Sequence, residues 1–210
     1  VQTCALPIWD LRDIILANAD LAGADCSGAD MARANMPCAI FADAWLERVN
    51  LRDAYLRGAD FSRAHMANAD LAEAAVDYYS EDPLRFIDAD LSGACLRHSQ
   101  FRGAVFAGAN LKRADLRYAC LEGCDLSNTD LQQTLLHHTN LSGACLRNAN
   151  LESAILVDTD LTGADLSGAR IFGVSAWDVH LKDATQSHLI ISPMSSANIQ
   201  VDRLDVAQFI

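Results

Sequence analysis

From Leu21 to Ile171 every fifth residue is apolar, with one exception. The 31 centres comprise 19 Leu, 5 Phe, 3 Met, Cys26, Val76 and Ile171; the exception is Glu81. Two residues before each centre stands a small side chain, Ala in 22 cases and Thr, Ser or Cys in six more. A period of five fits neither the 3.6 of a helix nor the 2 of a plain strand. Each unit must instead be one short side of a coil. The centre and the small residue point inward, and the other three positions point out. A chain built this way is a solenoid, each coil hydrogen-bonded to its neighbours, and its two ends need caps.

The units follow one another without a gap, as in ADLAG (19–23), ADCSG (24–28), ADMAR (29–33) and, much later, ADLSG (164–168). They resemble the A-(D/N)-L-x-x motif of the pentapeptide-repeat proteins, over about 19–173. The resemblance implies an all-β fold, a right-handed quadrilateral β-helix with four repeats per coil of 20 residues. The phenylalanines support 20 independently. Phe41 and Phe61 lie 20 apart with Phe101 40 further on, and Phe86 and Phe106 are also 20 apart. That spacing predicts ring columns in the interior. About eight coils follow, a rod of roughly 38 Å at ~4.8 Å per coil.

The motif lapses at 77–88, DYYSEDPLRFID, and resumes at Ala89–Leu91 with the count of five intact. The expectation is one bulged side, around Tyr79–Pro83, inside a continuous coil. It is either a tolerated surface loop or a partner-contact loop. Tyr78, Tyr79, Glu81 and Asp82 are the candidate contact residues, since loops carry function more often than walls do.

The outward position before each centre is Asp or Asn along one expected face: Asp30, Asn50, Asp70, Asp90, Asn110, Asp130 and Asn150. Such side chains bond backbone amides in turns. Alternatively they form a row of negative charge. One group of pentapeptide-repeat proteins, the quinolone-resistance group, inhibits DNA gyrase by resembling duplex DNA, and the resemblance brings that function into view. The charge is thin for it: net −12 along the rod is one charge per ~3 Å, against one per ~1.7 Å in DNA. Arg57, Arg97 and Arg117 also fall 20 or 40 apart. That column either binds an anionic partner or balances neighbouring acids.

The acidic balance argues against direct nucleic-acid binding, and no apolar run approaches the ~20 residues of a membrane span. Seven cysteines with no C-x-x-C spacing fit a reducing cytoplasm better than a disulfide framework. Cys120, Cys124, His137 and His138 come nearest to a metal set but lack paired ligand knuckles. No cofactor is expected. No nucleophile–base–acid spacing is present, so no enzyme is expected either.

The ends differ from the middle. VQTCALPI (1–8) resembles a translated sequencing-adapter fragment and is left out of fold reasoning. From 174 to 210 the period fades into an expected capping segment, with Trp177 covering the last rung. LIIS (189–192) and NIQV (198–201) predict two short strands, and Asp202 the start of a helix. Trp177–Asp178, Gln186–Ser187 and the DRLDVAQFI ending resemble the segment that leads into a TIR-like domain in some bacterial pentapeptide-repeat proteins. The resemblance implies a further C-terminal domain in a longer chain. The leading expectation is a non-enzymatic scaffold or protein–protein interaction module of a larger bacterial protein. A gyrase-inhibiting DNA mimic and an inert spacer are the alternatives.

Overall fold

The motif is, first, a solution for satisfying backbone donors. In a computed structural model, which describes residues 9–77, 82–192 and 199–204, the unit 89–93 shows where each N–H goes. Asp90 N donates to Ala64 O in the preceding coil, and Leu91 N to Asn110 O in the next. Gly93 N donates to Lys112 O, also in the next coil, and Ala94 N closes a turn on Leu91 O. That leaves Ser92 N, which no carbonyl takes; the Asp90 Oδ1 accepts it at 3.0 Å. An unpaired buried backbone donor is costly, so the Asp or Asn before each centre completes the accounting. The same i+2 bond recurs at Asp30, Asn50, Asp60, Asp130 and Asn150.

The turn explains the fifth position. Among the described residues, Pro83 excepted, the residue two after each centre has positive φ, near +67° at Gly93 and Gly103 and near +57° at Arg33. A type II turn demands this of its third residue, and Gly or Asn supplies it at least cost. Gly108 is fixed for a second reason. A Cβ there would stand 2.1 Å from Asp88 Oδ1 of the neighbouring coil.

The coils stack through single parallel bridges. Asp30 pairs with Asn50, Asn50 with Asp70, and Asn110 with Asp130, each 20 residues on. The centres and the small residues form one continuous core, with Phe41, Phe61, Phe86, Phe101 and Phe106 fully buried. Thr or Cys in place of the inward Ala donates to a centre carbonyl, one coil below in most cases and within its own turn at Thr134, which reaches Leu131 O. Thr129 reaches Phe106 O, Thr139 reaches Leu116 O and Cys124 reaches Phe101 O.

The break at 77–88 changes the register, which the intact count of five conceals. Before it bridges join i to i+20; across it they join i to i+25, as in Asp60↔Arg85, Asp70↔Cys95 and Ala75↔Gln100. From Arg85↔Val105 onward the step is 20 again. Five extra residues have left the wall and taken one count of the repeat with them. Glu81 lies outside the described residues. The expected ring column is corrected accordingly. Phe101 does not continue Phe41 and Phe61. Phe86 does: centroids step 5.1 Å from Phe41 to Phe61, 5.3 Å to Phe86 and 4.8 Å to Phe106.

Four short strands are the named elements among the described residues. β1 (Ile155–Val157) pairs in parallel with β2 (Ser175–Trp177). β3 (Leu189–Ile190) pairs antiparallel with β4 (Gln200–Val201), as the two apolar tail runs suggested. Bridges continue past 173 to Arg170↔Ile190. The hairpin seals this end: Leu189, Ile191 and Leu204 are buried, Leu204 N donates to Gln186 Oε1, and His188 N donates to Asp202 Oδ1. Trp177 does not cover the last rung. It follows the inward Ala176 by one position, so it points out, 70% exposed. The helix expected after Asp202 falls mainly on residues outside those described. No helix among the described residues is long and apolar enough to cross a membrane.

Candidate partner-binding surfaces

The register shift redistributes every outward column. The expected Asp/Asn ladder of seven splits into two. Asp10, Asp30, Asn50 and Asp70 share one face and continue into Cys95, Asp115, Leu135 and Ile155. Asp90, Asn110, Asp130 and Asn150 stand on another, below them Trp45 and His65 and above them Arg170. Within each piece an Asn amide donates to the Asp beneath, Asn50 to Asp30 at 2.8 Å and Asn110 to Asp90 at 3.0 Å. With one carboxylate oxygen also on a turn amide, these groups are committed to holding the wall.

The arginine column is likewise corrected. Arg97 and Arg117 are successive rungs, since His98 N donates to Arg117 O, but Glu73 N donates to Arg97 O, so Ala72 and Arg52 lie below them. Arg57 is on the adjacent side, where Cys38 N donates to its carbonyl. Arg117 grips Asp115 through Nε at 2.8 Å and Nη2 at 2.5 Å. Arg97 Nε lies 3.9 Å from the same carboxylate and makes no hydrogen bond. Partial burial works to raise the Asp115 pKa. The hydrogen bonds from Arg117 and the charges of Arg117 and Arg97 outweigh it, holding the carboxyl below its usual range.

Of the loop candidates, Tyr78, Tyr79 and Glu81 lie outside the described residues. Asp82 is described, at the root of the insertion. Its Cβ comes 2.9 Å from where Gly58 would carry one, so only glycine fits beneath it. On the other side Tyr55 donates its hydroxyl to Asp77 Oδ2 at 2.6 Å. Beside this root is a hollow of about 250 Å³ lined by Ala75, Val76, Asp77, Gln100, Arg102 and Cys120. Arg102 is paired with Glu122 along its wall.

The nearest approach to a metal set is dispersed. The Cys124 thiol is buried and bonded to Phe101 O, and burial pushes its pKa well up. His138 turns outward to Asp158. Among the described residues no three His, Cys, Asp or Glu side chains converge to hold a metal ion.

One feature was invisible in the repeat pattern. His98, Tyr118 and His138 occupy successive positive-φ corners and stack, with centroids 4.9 Å apart in both pairs and ring planes 5° and 12° from parallel. His138 Nδ1 then meets Asp158 Oδ2 at 2.8 Å, and Asp158 Oδ1 lies 3.7 Å from His180 Nε2. The 20-residue spacing of His98, Tyr118 and His138 is the one trace of it in the sequence.

A pentapeptide-repeat region matches residues 94–172, and pentapeptide repeats in eight copies match 14–53 and 50–76. The chain belongs to the pentapeptide-repeat family. Among solved structures of the family, it is similar to HetL from the cyanobacterium Nostoc sp., involved in heterocyst differentiation regulation. Identity is 33% over 90% of this chain and 91% of that one, with a TM-score of 0.41. It is similar also to QnrB1, a plasmid-mediated fluoroquinolone resistance protein, at 20% identity over 79% of this chain and 80% of that one (TM-score 0.39). A pentapeptide-repeat protein of the Arabidopsis thaliana thylakoid lumen is 29% identical over 57% of this chain and 66% of that one (TM-score 0.32). Among curated proteins, none matches.

Proposed function

We propose that this repeat region is a non-enzymatic scaffold that presents flat outer faces to a protein partner. One observation carries the reading. The motif's own Asp and Asn groups are spent on turn amides and the fifth position on a turn of positive φ, whereas the outward position just after each centre varies from coil to coil, as in Arg97, Arg117, His137, Val157 and Trp177, and sets the character of each face. A rigid wall with variable outward columns is suited to display. Among the described residues a hollow lies beside Asp77, and the rest of the reading rests on the outer faces. Tyr78, Tyr79, Glu81, Asp82, Arg57, Arg97 and Arg117 remain the proposed contact residues. Arg57 belongs to a different face from the other two arginines, beside the insertion. A further C-terminal domain, TIR-like by resemblance, would make the rod a recognition arm.

The DNA-mimic reading is weaker by the same geometry. The acidic row is divided between two faces, and arginines pair with acids across coils, as Arg33 does with Asp13 and Arg63 with Asp43. An inert spacer would tolerate any change of face. The test is partner capture by the immobilised chain from lysate of the source cells. Specific capture that Arg97→Glu with Arg117→Glu abolishes, in a chain of unchanged circular dichroism, supports the scaffold. Indifference to charge reversal on every face supports the spacer, and inhibition of gyrase supercoiling at micromolar protein supports the mimic.

A further inference from the structure

The face that carries Arg97 and Arg117 changes character along the rod. Its column one position after the centres runs Arg97, Arg117, His137, Val157, Trp177, each carbonyl taking an N–H from the coil below. The column one position before the centres runs Cys95, Asp115, Leu135, Ile155, Ser175. Its edge runs His98, Tyr118, His138, Asp158, Asp178. The strip is thus basic and aromatic at one end, apolar in the middle and acidic at the other. Tyr118 is 46% and Trp177 70% exposed, large apolar groups in water within two coils of a leucine, an isoleucine and a valine on the same face. β1 and β2 make this part of the wall its longest continuous strand pairing.

Such an order is complementary to itself when one copy is turned end over end. A two-fold axis across the strip at His137 leaves each column facing the same column and reverses the coil order. Arg97 then meets Trp177 of the other copy, guanidinium over indole. His98 meets Asp178. The Tyr118 hydroxyl meets Asp158, whose Oδ2 is taken by His138 while Oδ1 points past His180. Val157 faces the stem of Arg117, and Leu135 faces Leu135. Asp115 faces Ile155, the one poor match, and its charge is already held by Arg117. Parallel packing about an axis along the column of Arg97 would set Arg97 on Arg97 and Arg117 on Arg117, so the charge order selects the antiparallel arrangement.

We propose that this face, from the coil of Arg97 to the coil of Trp177, is a self-association surface on which a second copy of the chain docks antiparallel. The proposal does not rest on the scaffold function, but it shares Arg97 and Arg117 with the contact residues proposed there. Five coils at ~4.8 Å span about 20 Å, so the strip of three columns covers well under the roughly 800 Å² per partner of a standard interface. The dimer is therefore weak and reversible, forming in the upper micromolar range.

Sedimentation equilibrium of the wild-type chain, from low micromolar to near-millimolar, reads this directly and needs no variant. The expected result is a monomer–dimer equilibrium. A chain monomeric throughout overturns the proposal. Two exposed double variants test the pairing: Arg97→Glu with His98→Glu, and Trp177→Arg with Asp178→Lys. Each alone sets like charges together at both ends of the interface and is expected to stay monomeric. An equimolar mixture restores opposite charges at one end and native contacts at the other, and is expected to associate. Variants that dimerise as the wild type does, or a mixture of folded variants that stays monomeric, overturn the antiparallel pairing.

Discussion

If five residues leave the wall at 78–82, Phe61 must couple energetically to Phe86 and not to Phe101. The cycle uses Phe61→Leu, Phe86→Leu and Phe101→Leu singly, with the pairs 61/86 and 61/101. Leucine already fills most centres, so each change is mild beside the roughly 3–5 kcal/mol of a Phe→Ala truncation. The rings of Phe61 and Phe86 stack at 5.3 Å, 12° from parallel. Such a pair contributes about 0.5–1.5 kcal/mol beyond its area burial. The 61/86 cycle should therefore show a coupling of that size, while 61/101, two rings with no stacking contact of their own that share Phe86 as a neighbour, should show a smaller one. Urea unfolding followed by circular dichroism measures both, provided the midpoints of different probes coincide, since long repeat arrays can lose two-state behaviour. Coupling in 61/101 with none in 61/86 would mean that the coils keep step at 20 through the break, and the looped-out insertion would be refuted.

Four further outcomes follow from the same geometry. Leu116→Asp, Leu121→Asp or Leu146→Asp should unfold the chain, because each places an unpaired charge in a fully enclosed core at a cost of several kcal/mol; soluble, folded variants at all three sites would contradict the inward frame. Removing residues 78–82 as a block should leave the far-UV spectrum and melting temperature close to those of the parent, whereas removing 111–115 should shift every later unit by one side, break column contacts such as Arg102–Glu122 and lower the melting temperature. Gly108→Ala should cost more than about 1 kcal/mol, from strain at positive φ and the approach of Asp88; Gly103→Asn, where a Cβ meets nothing within 4 Å, should be close to neutral. Asp115, Asp160 and Asp165 have folded-state pKa values below their ordinary range, so their contribution is complete above the unfolded value of about 3.9 and is lost as pH falls through the lower folded values. A melting temperature flat from neutral pH to about 5 and declining below about 4 is expected, with the decline reduced in Asp115→Asn; a steady fall beginning near neutral would point to histidine instead.

The period of five was enough to derive an inward frame, a 20-residue coil and the use of Asp and Asn in turns, because each depends on residues one to three positions apart. A backbone N–H with no carbonyl to meet, a turn needing positive φ and a core that admits one large and one small side chain are local demands, repeated in every unit. The identity of neighbours on the outer faces is another matter. It depends on how many residues each coil spends, and the insertion at 78–82 spends five without disturbing the count. A sequence read in fives cannot distinguish a unit in the wall from five residues outside it. Only the bridges, stepping by 25 at Asp60↔Arg85 and its three companions, decide that Phe86 lies over Phe61, that the acidic row is divided and that Arg57 parts from Arg97. The outward turn of Trp177 is the opposite case, since Ala176 continues the frame of centres and the count of five already turns Trp177 out. Its position relative to Ala176 within the unit governs where it points, and the hairpin of β3 and β4 closes the coil in its place.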